Sequence, residues 1–215
     1  MKLIFVGPPG GGKGTQARLL QARRAIPQIA TGDILREAIA QDTALGRDAR
    51  RSMEAGELVP DAVMVAIVEE RLRRSDGHEG FVLDGFPRTV PQAEALEETL
   101  NRMQRRIDRV VDFQIREEVL IPRLSGRRVC QVGGHIYHLA YQPPREAGLC
   151  GIDHSPLYQR DDDRPEAIRR RMEVYQVETL PVLAFYQARS VYAALDAEGE
   201  VEEVYDRLLA VVNRR

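Results

Sequence analysis

Gly7-Pro8-Pro9-Gly10-Gly11-Gly12-Lys13-Gly14-Thr15 restricts the fold of this chain more than any other stretch. Ahead of it, Lys2-Leu3-Ile4-Phe5-Val6 is a short apolar run ending in glycine and proline, the pattern of a buried parallel strand. Behind it, Ala17, Leu19, Leu20 and Ala22 fall near helical spacing. Strand, glycine loop and helix in that order form a phosphate cradle. The glycines let backbone N–H groups turn toward an anion, and the helix N-terminus adds partial positive charge. An ordinary glycine-rich turn would lack both flanks. The chain has 2 lysines against 29 arginines, and one of the two lies inside this loop. Base composition accounts for the low count but not for the position. A compact ammonium fits between the oxygens of a polyphosphate where a planar guanidinium does not. The hydroxyl that usually follows the lysine is displaced by one place, Gly14 preceding Thr15, so a direct hydroxyl–Mg²⁺ bond does not follow from the motif.

Strand-like runs recur at Leu3–Val6, near Ile26–Ile29, and at Phe81–Leu83, Val110–Phe113 and Val191–Leu195. Helical patterns separate them, among them Asp61–Arg74, Pro91–Arg102, Glu117–Leu124, Pro165–Tyr175 and Val201–Val212. Strands alternating with helices predict an α/β fold, a parallel sheet covered on both faces. Pro181 should kink or restart the helix that contains it. Residues 125–163 differ. Arg127 to Tyr141 alternates, Gly133-Gly134 reads as a two-residue hairpin turn, and Pro143-Pro144, Gly148, Gly151 and Pro156 punctuate the remainder of the segment. This predicts a small β-rich insertion; a second insertion of short helices is expected around residues 30–60.

Length and charge narrow the class. A chain of 215 residues, 43% apolar, fits one core domain with insertions. A net charge of −2 argues against a general nucleic-acid binder. No apolar run approaches the roughly 20 residues of a membrane span. The N-terminus reads as a strand leading into the cradle, not as a signal peptide. Two cysteines make no disulfide framework. These readings predict a soluble, cytoplasmic chain, with monomer as the default because no association segment stands out.

A second constellation comes after Phe81-Val82-Leu83: Asp84-Gly85-Phe86-Pro87-Arg88, then Gln92. A carboxylate at the C-terminal end of an apolar strand is placed to hold a Mg²⁺ environment through water. Arg88 can reach a phosphate from the next loop, and the Gln92 amide can pair with an adenine edge. Singly these are a capping aspartate, a surface arginine and a solvated glutamine; together, at one strand end, they form a site. Thr31-Gly32-Asp33 with Arg36 fits a turn opening a helix.

Taken in order, Gly7–Thr15, Thr31-Gly32-Asp33 with Arg36, Asp84–Arg88 with Gln92, Gly126-Arg127-Arg128, and Arg160 with Asp162-Asp163 resemble the adenylate kinase family over essentially the whole chain. The Asp-Gly-Phe-Pro-Arg block with Gln92 is the most specific part, and the long 125–163 segment resembles the bacterial form. The resemblance implies a five-stranded parallel sheet of the P-loop type. Its core would be 1–29, 60–124 and 164–215, with an AMP-binding insertion at 30–59 and a mobile lid at 125–163. It implies transfer of a phosphoryl group from ATP to AMP, with Mg²⁺ and the nucleotides ATP, AMP and ADP as its only partners.

By the same resemblance, Gly10, Gly11, Gly12, Lys13, Gly14, Thr15, Arg127, Ile136 and Tyr137 would hold ATP, with Gly199 near its base. Thr31, Arg36, Glu57, Leu58, Val59, Gly85, Phe86, Pro87, Arg88 and Gln92 would hold AMP. Lys13, Arg88, Arg123, Arg160 and Arg171 would form a cage round the transferring phosphoryl, Arg160 and Arg171 also touching AMP. Asp33 and Asp84 would stand in the Mg²⁺ environment. The acceptor is already an anion, so no general base is required.

Two departures from the family matter. Glu57 stands where relatives usually have lysine. Some relatives carry zinc on a Cys-x₂-Cys-x₁₆-Cys-x₂-Cys/Asp pattern, of which this chain keeps Cys130, Cys150 and Asp153 but has Gly133 at the second place. Three donors do not close a structural site, and His135, His138 and His154 are off the expected spacing, so a metal-free lid is expected. A Cys130–Cys150 disulfide is disfavoured in a reducing compartment. The rival classes are another nucleoside monophosphate kinase, acting on GMP, UMP or CMP, and a non-catalytic nucleotide-binding module.

Overall fold

The computed structural model describes residues 1–74 and 80–213; of the expected core ranges, 75–79 and 214–215 lie outside the described residues. Five parallel strands form the main sheet in the order β2-β3-β1-β4-β8: β1 Lys2–Val6, β2 Gln28–Ala30, β3 Phe81–Asp84, β4 Arg109–Gln114 and β8 Tyr192–Asp196. Alternation along β1 explains the two cores. Leu3 and Phe5 face one side with α1 (Lys13–Arg24) and α9 (Val201–Asn213), meeting Ala17, Leu20, Val204 and Leu208. Ile4 and Val6 face the other side with α4 (Asp61–Leu72), α5 (Val90–Arg102) and α8 (Leu180–Gln187), meeting Val68, Leu96 and Val182. Both faces are dry, which is why the central strands read as continuous apolar runs. The expected α/β parallel sheet with helices on both faces is what the chain forms.

Thr31–Ala40 (α2) and Ala44–Glu54 (α3) form the helical insertion. The helix that begins at Pro165 (α7, Pro165–Val174) passes through a π turn at Tyr175–Thr179 and restarts as α8, with Pro181 in its first turn. After α6 (Glu117–Ser125), three antiparallel strands, β5 Arg127–Cys130, β6 Ile136–His138 and β7 Leu157–Tyr158, make the second sheet in the order β6-β5-β7.

The hairpin turn is longer than expected. Cys130 and His135 are bonded through N–H to O at 2.9 Å, so the turn holds the four residues 131–134 and not Gly133-Gly134 alone. The chain is drawn round a sulfur: the Gly133 amide donates to Cys130 Sγ at 3.0 Å.

Candidate active site

The C-terminal ends of β1, β2, β3 and β8 open into one cleft of about 1100 Å³. This edge is where the sheet changes winding direction, the usual ligand crevice of such folds. Gly12 caps α1 with no side-chain bond, leaving the first amides of that helix unsatisfied toward the cleft. Lys13 Nζ lies over the loop, donating to Gly7 O at 2.6 Å and Pro8 O at 2.7 Å. The cradle leaves little room. A Cβ on Gly14 would sit 3.2 Å from Asp84 Oδ2, an oxygen that accepts from Gln28 Nε2 at 2.9 Å. The β3 carboxylate is thereby fixed directly above the cradle.

On the opposite side, Thr31 Oγ1 donates to Gly85 O at 3.0 Å and Arg88 Nε donates to the same carbonyl at 2.8 Å. Gln92 is buried with its amide oriented by two contacts. Its Oε1 accepts from Arg88 N at 2.7 Å, and its Nε2 donates to Asp61 Oδ1 at 2.7 Å. One N–H and one lone pair of that amide remain for a base edge.

Cations crowd the middle. Asp33 gathers three guanidiniums: Arg36 at 2.6 Å, Arg160 at 3.4 Å and Arg18 at 3.5 Å. Fully buried Asp163 takes Arg127 Nε at 2.7 Å and Arg171 Nη1 at 3.2 Å. Asp162 takes Arg171 at 3.1 Å and lies 4.0 Å from Arg36. These carboxylates do not satisfy the cluster. Burial, with the neighbouring Arg88, Arg171 and Arg127 adding to it against Asp84, brings the Lys13 ammonium down to about 8. Burial and then Arg171 bring Arg88 down to about 10. Burial and then Arg36 and Arg127 bring Arg160 to about 10 as well. Arg160 Nε is buried with no hydrogen-bond partner among the described residues. A mutually repelling set of buried cations with an orphan donor is a receptor for a polyanion.

Gly10, Gly11, Gly12, Lys13, Gly14, Thr15, Arg123, Arg127, Ile136, Tyr137 and Gly199 line the cleft on the cradle side. Thr31, Asp33, Arg36, Glu57, Leu58, Val59, Asp84, Gly85, Pro87, Arg88, Gln92, Arg160 and Arg171 line the rest. Phe86 does not: its side chain is fully buried in the core between the sheet and α4–α5, so the ring supports the loop from behind. Glu57, half-exposed, is paired with Arg170 of α7 at 3.5 Å, so its carboxylate is neutralised at the rim.

Cys130 at the end of β5 clusters with Cys150 and Asp153 from the loop between β6 and β7, and His135 adds a fourth donor to the three that spacing gave. One ligating atom from each of Cys130, His135, Cys150 and Asp153 lies within 4.8 Å of the others. Spacing hid this, because the substitution couples two positions. A Cβ on Gly133 would fall 2.2 Å from His135 Cε1 and 2.8 Å from Asp153 Oδ2. The imidazole occupies the space that a side chain at 133 would need. Both cysteines are free thiols. Gln28, Asp61 and Arg18 carry no motif but contact Asp84, Gln92 and Asp33; each is recognisable only from the partner it reaches across the fold.

A family model described as adenylate kinase matches residues 5–191 of the chain. Adenylate kinases with similar sequences include one from Geobacter sp. (strain M21), 49% identical over 99% of both chains. Another from Acidothermus cellulolyticus is 47% identical over 99% of this chain and 98% of its own. One from Archaeoglobus fulgidus is 45% identical over 100% and 99% respectively.

Proposed function

Because the chain belongs to the adenylate kinase family, we propose that the cluster of repelling cations is where it brings together the nucleotides of its reaction, the reversible transfer of the terminal phosphoryl group of ATP to AMP. The carrying observation is the buried, unpartnered Nε of Arg160, whose guanidinium is lowered first by burial and then by Arg36 and Arg127. Such a site gains most when polyphosphate oxygens arrive.

In the forward direction an oxygen of the AMP phosphate bonds to the γ-phosphorus of ATP as the bond to the β,γ-bridging oxygen breaks. Both products are ADP. The nucleophile is an anion, so the chain supplies charge and alignment rather than a base. Lys13 and the free amides of α1 hold the β- and γ-phosphates, with Arg127 on the lid side. Arg123, Arg160 and Arg171 spread the charge developing on the equatorial oxygens. Arg88 and Arg36 hold the AMP phosphate, Gln92 reads the adenine edge, and Thr31, Glu57, Leu58, Val59, Gly85 and Pro87 shape that pocket. Ile136, Tyr137 and Gly199 border the ATP base. The 125–163 segment acts as a lid that excludes water from the transfer.

Mg²⁺ comes with ATP and neutralises phosphate charge. Asp84, fixed by Gln28 above Gly14, would hold its environment through water. Asp33 would join it as Arg36 and Arg160 turn from it to the phosphates. In the lid, Cys130, His135, Cys150 and Asp153 would hold a thiophilic divalent ion of the zinc class, which would cross-link the lid and take no part in transfer. This reading replaces the metal-free lid that spacing suggested. Cobalt(II) added to metal-stripped protein should give thiolate charge-transfer bands at about one equivalent, and His135→Ala should weaken binding at least tenfold. A spectrum equal to that of cobalt in buffer would remove the ion from the lid.

No helix among the described residues is long and apolar enough to cross a membrane. A cytoplasmic monomer remains part of this reading on its composition.

A coupled assay tests the whole. ADP should form from ATP and AMP, with GMP, UMP and CMP slower by about 100-fold, because a base lacking the right edge leaves the Gln92 amide unpaired. A preference for another monophosphate would reassign the acceptor. Binding of ATP without any ADP would make the chain a non-catalytic module.

A further inference from the structure

Among the described residues, three hydrogen bonds or ion pairs tie the lid segment to α1 and α2 across the cleft: Arg160 with Asp33 at 3.4 Å, Asp162 with Arg36 at 4.0 Å, and Gly134 O with Arg18 Nη1 at 2.7 Å. The first two use guanidiniums that the transfer needs for phosphate. When nucleotides bind, those contacts are exchanged. The third is different. Arg18 sits about a turn and a half beyond Lys13 on α1, its partner is a backbone carbonyl, and neither group has a role in holding phosphate.

The acceptor is well presented. Gly134 ends the four-residue turn closed by Cys130 N–H to His135 O, and its own N–H is bonded to Cys130 O at 3.1 Å. With the amide engaged and the turn wound on Cys130 Sγ, the Gly134 carbonyl has a defined direction. The donor is steered as well, since Arg18 Nη2 lies 3.5 Å from Asp33 Oδ2, which aligns the guanidinium plane. Among the described residues, and apart from Gly134's two chain neighbours, the only atom within 4 Å of a Cβ built on Gly134 is Arg18 Nη2.

We propose that Arg18 is the latch that holds the lid shut over the ATP half of the cleft, a positioning residue that acts through Gly134 and does not touch the reacting atoms. The proposal rests on the reading of residues 125–163 as a lid over ATP. A charge-assisted bond made only in the closed form shifts the open–closed balance by its whole strength, and apparent ATP affinity follows the closed fraction.

Arg18→Met keeps the aliphatic stem and removes the donors. It should raise KM for ATP roughly tenfold, the worth of one hydrogen bond to a charged group, and leave KM for AMP within about twofold. kcat should not fall, because a faster-opening lid does not delay product release. Arg18→Lys, which keeps a donor of shorter reach, should recover part of the loss. A fluorophore pair, one on the lid and one on α9, should report a larger open fraction in Arg18→Met saturated with ATP alone.

An unchanged KM and unchanged energy transfer in both variants would overturn the latch. So would a kcat lowered by orders of magnitude at constant KM, which would put Arg18 in the phosphate cage. If the unmodified enzyme made no ADP, the transfer reading would fail, while the energy-transfer measurement with ATP would still decide the latch.

Discussion

Lys13→Met should lower kcat by about three orders of magnitude in the ATP-plus-AMP assay, with the protein still folded by circular dichroism. The expectation comes from what the ammonium does before nucleotide binds. It is folded onto the carbonyls of Gly7 and Pro8, partly stripped of water and set among arginines, with only Asp84 opposing them. Its charged form is therefore costly until phosphate arrives, and its interaction strengthens as charge develops on the phosphoryl oxygens. That differential is what accelerates a reaction; equal binding of ground and transition states would not.

The same residue has a pH signature. Its ordinary value of 10.5 is lowered to about 8, burial being the main cause. Polyphosphate binding favours the ammonium and raises it again. Above about pH 8, then, the protein without nucleotide carries neutral Lys13, and Lys13 must take up a proton as ATP binds. ATP affinity should fall as pH rises from about 8 toward about 10, by up to tenfold per pH unit. Titration calorimetry near pH 9 in buffers of different ionisation enthalpy should show net proton uptake, and Lys13→Met should show less. Equal uptake in both proteins would assign the proton to another group.

Arg88→Ala should also reduce turnover by about 10³-fold, and Arg88→Lys should recover little of it. Arg88 is held from two sides: its Nε donates to Gly85 O, and its backbone N–H donates to Gln92 Oε1. The remaining guanidinium edge is thus presented in a fixed plane, suited to two parallel bonds to one phosphate. An ammonium on a flexible stem cannot copy that geometry. Because the backbone N–H also orients Gln92, the alanine variant should keep its preference for AMP over GMP. Steady-state rates with both acceptors separate the two effects. A near-normal rate would take Arg88 out of the cage; a lost preference would mean that its side chain, and not its amide, sets the Gln92 amide.

Some of this site was legible before any fold was known, and the reason is local. The cradle is nine consecutive residues whose glycines and lysine must be neighbours to act. Asp84 to Gln92 likewise sits on one strand end, the loop after it and the first turn of α5, so its spacing is nearly its geometry. The apolar run of β1 and the restart at Pro181 are read from pattern and punctuation in the same way.

Other parts were closed to that reading. Phe86 lies within a motif of cleft residues, yet its ring goes to the core, because the backbone on either side of Gly85 turns the chain over the sheet edge. The hairpin turn runs two residues longer than its glycines suggested, because a thiol and not a β-turn organises it. His135 could not be placed by counting from Cys130, since the position it fills was vacated two residues earlier by Gly133.

What the amino-acid order alone determined is the type of machine: a parallel sheet with a phosphate cradle at one strand end, a second anionic site at another, and arginines between. Such features depend on neighbours along the chain, whose relative positions covalent geometry already constrains. Only the tertiary structure decided which charges meet. Asp33 collects arginines from α1, α2 and the stretch between β7 and α7, Asp61 orients a glutamine 31 residues away, and Arg18 reaches a carbonyl 116 residues on. Long side chains can satisfy many partners at equal local cost, and it is the packing of the two cores that selects among them.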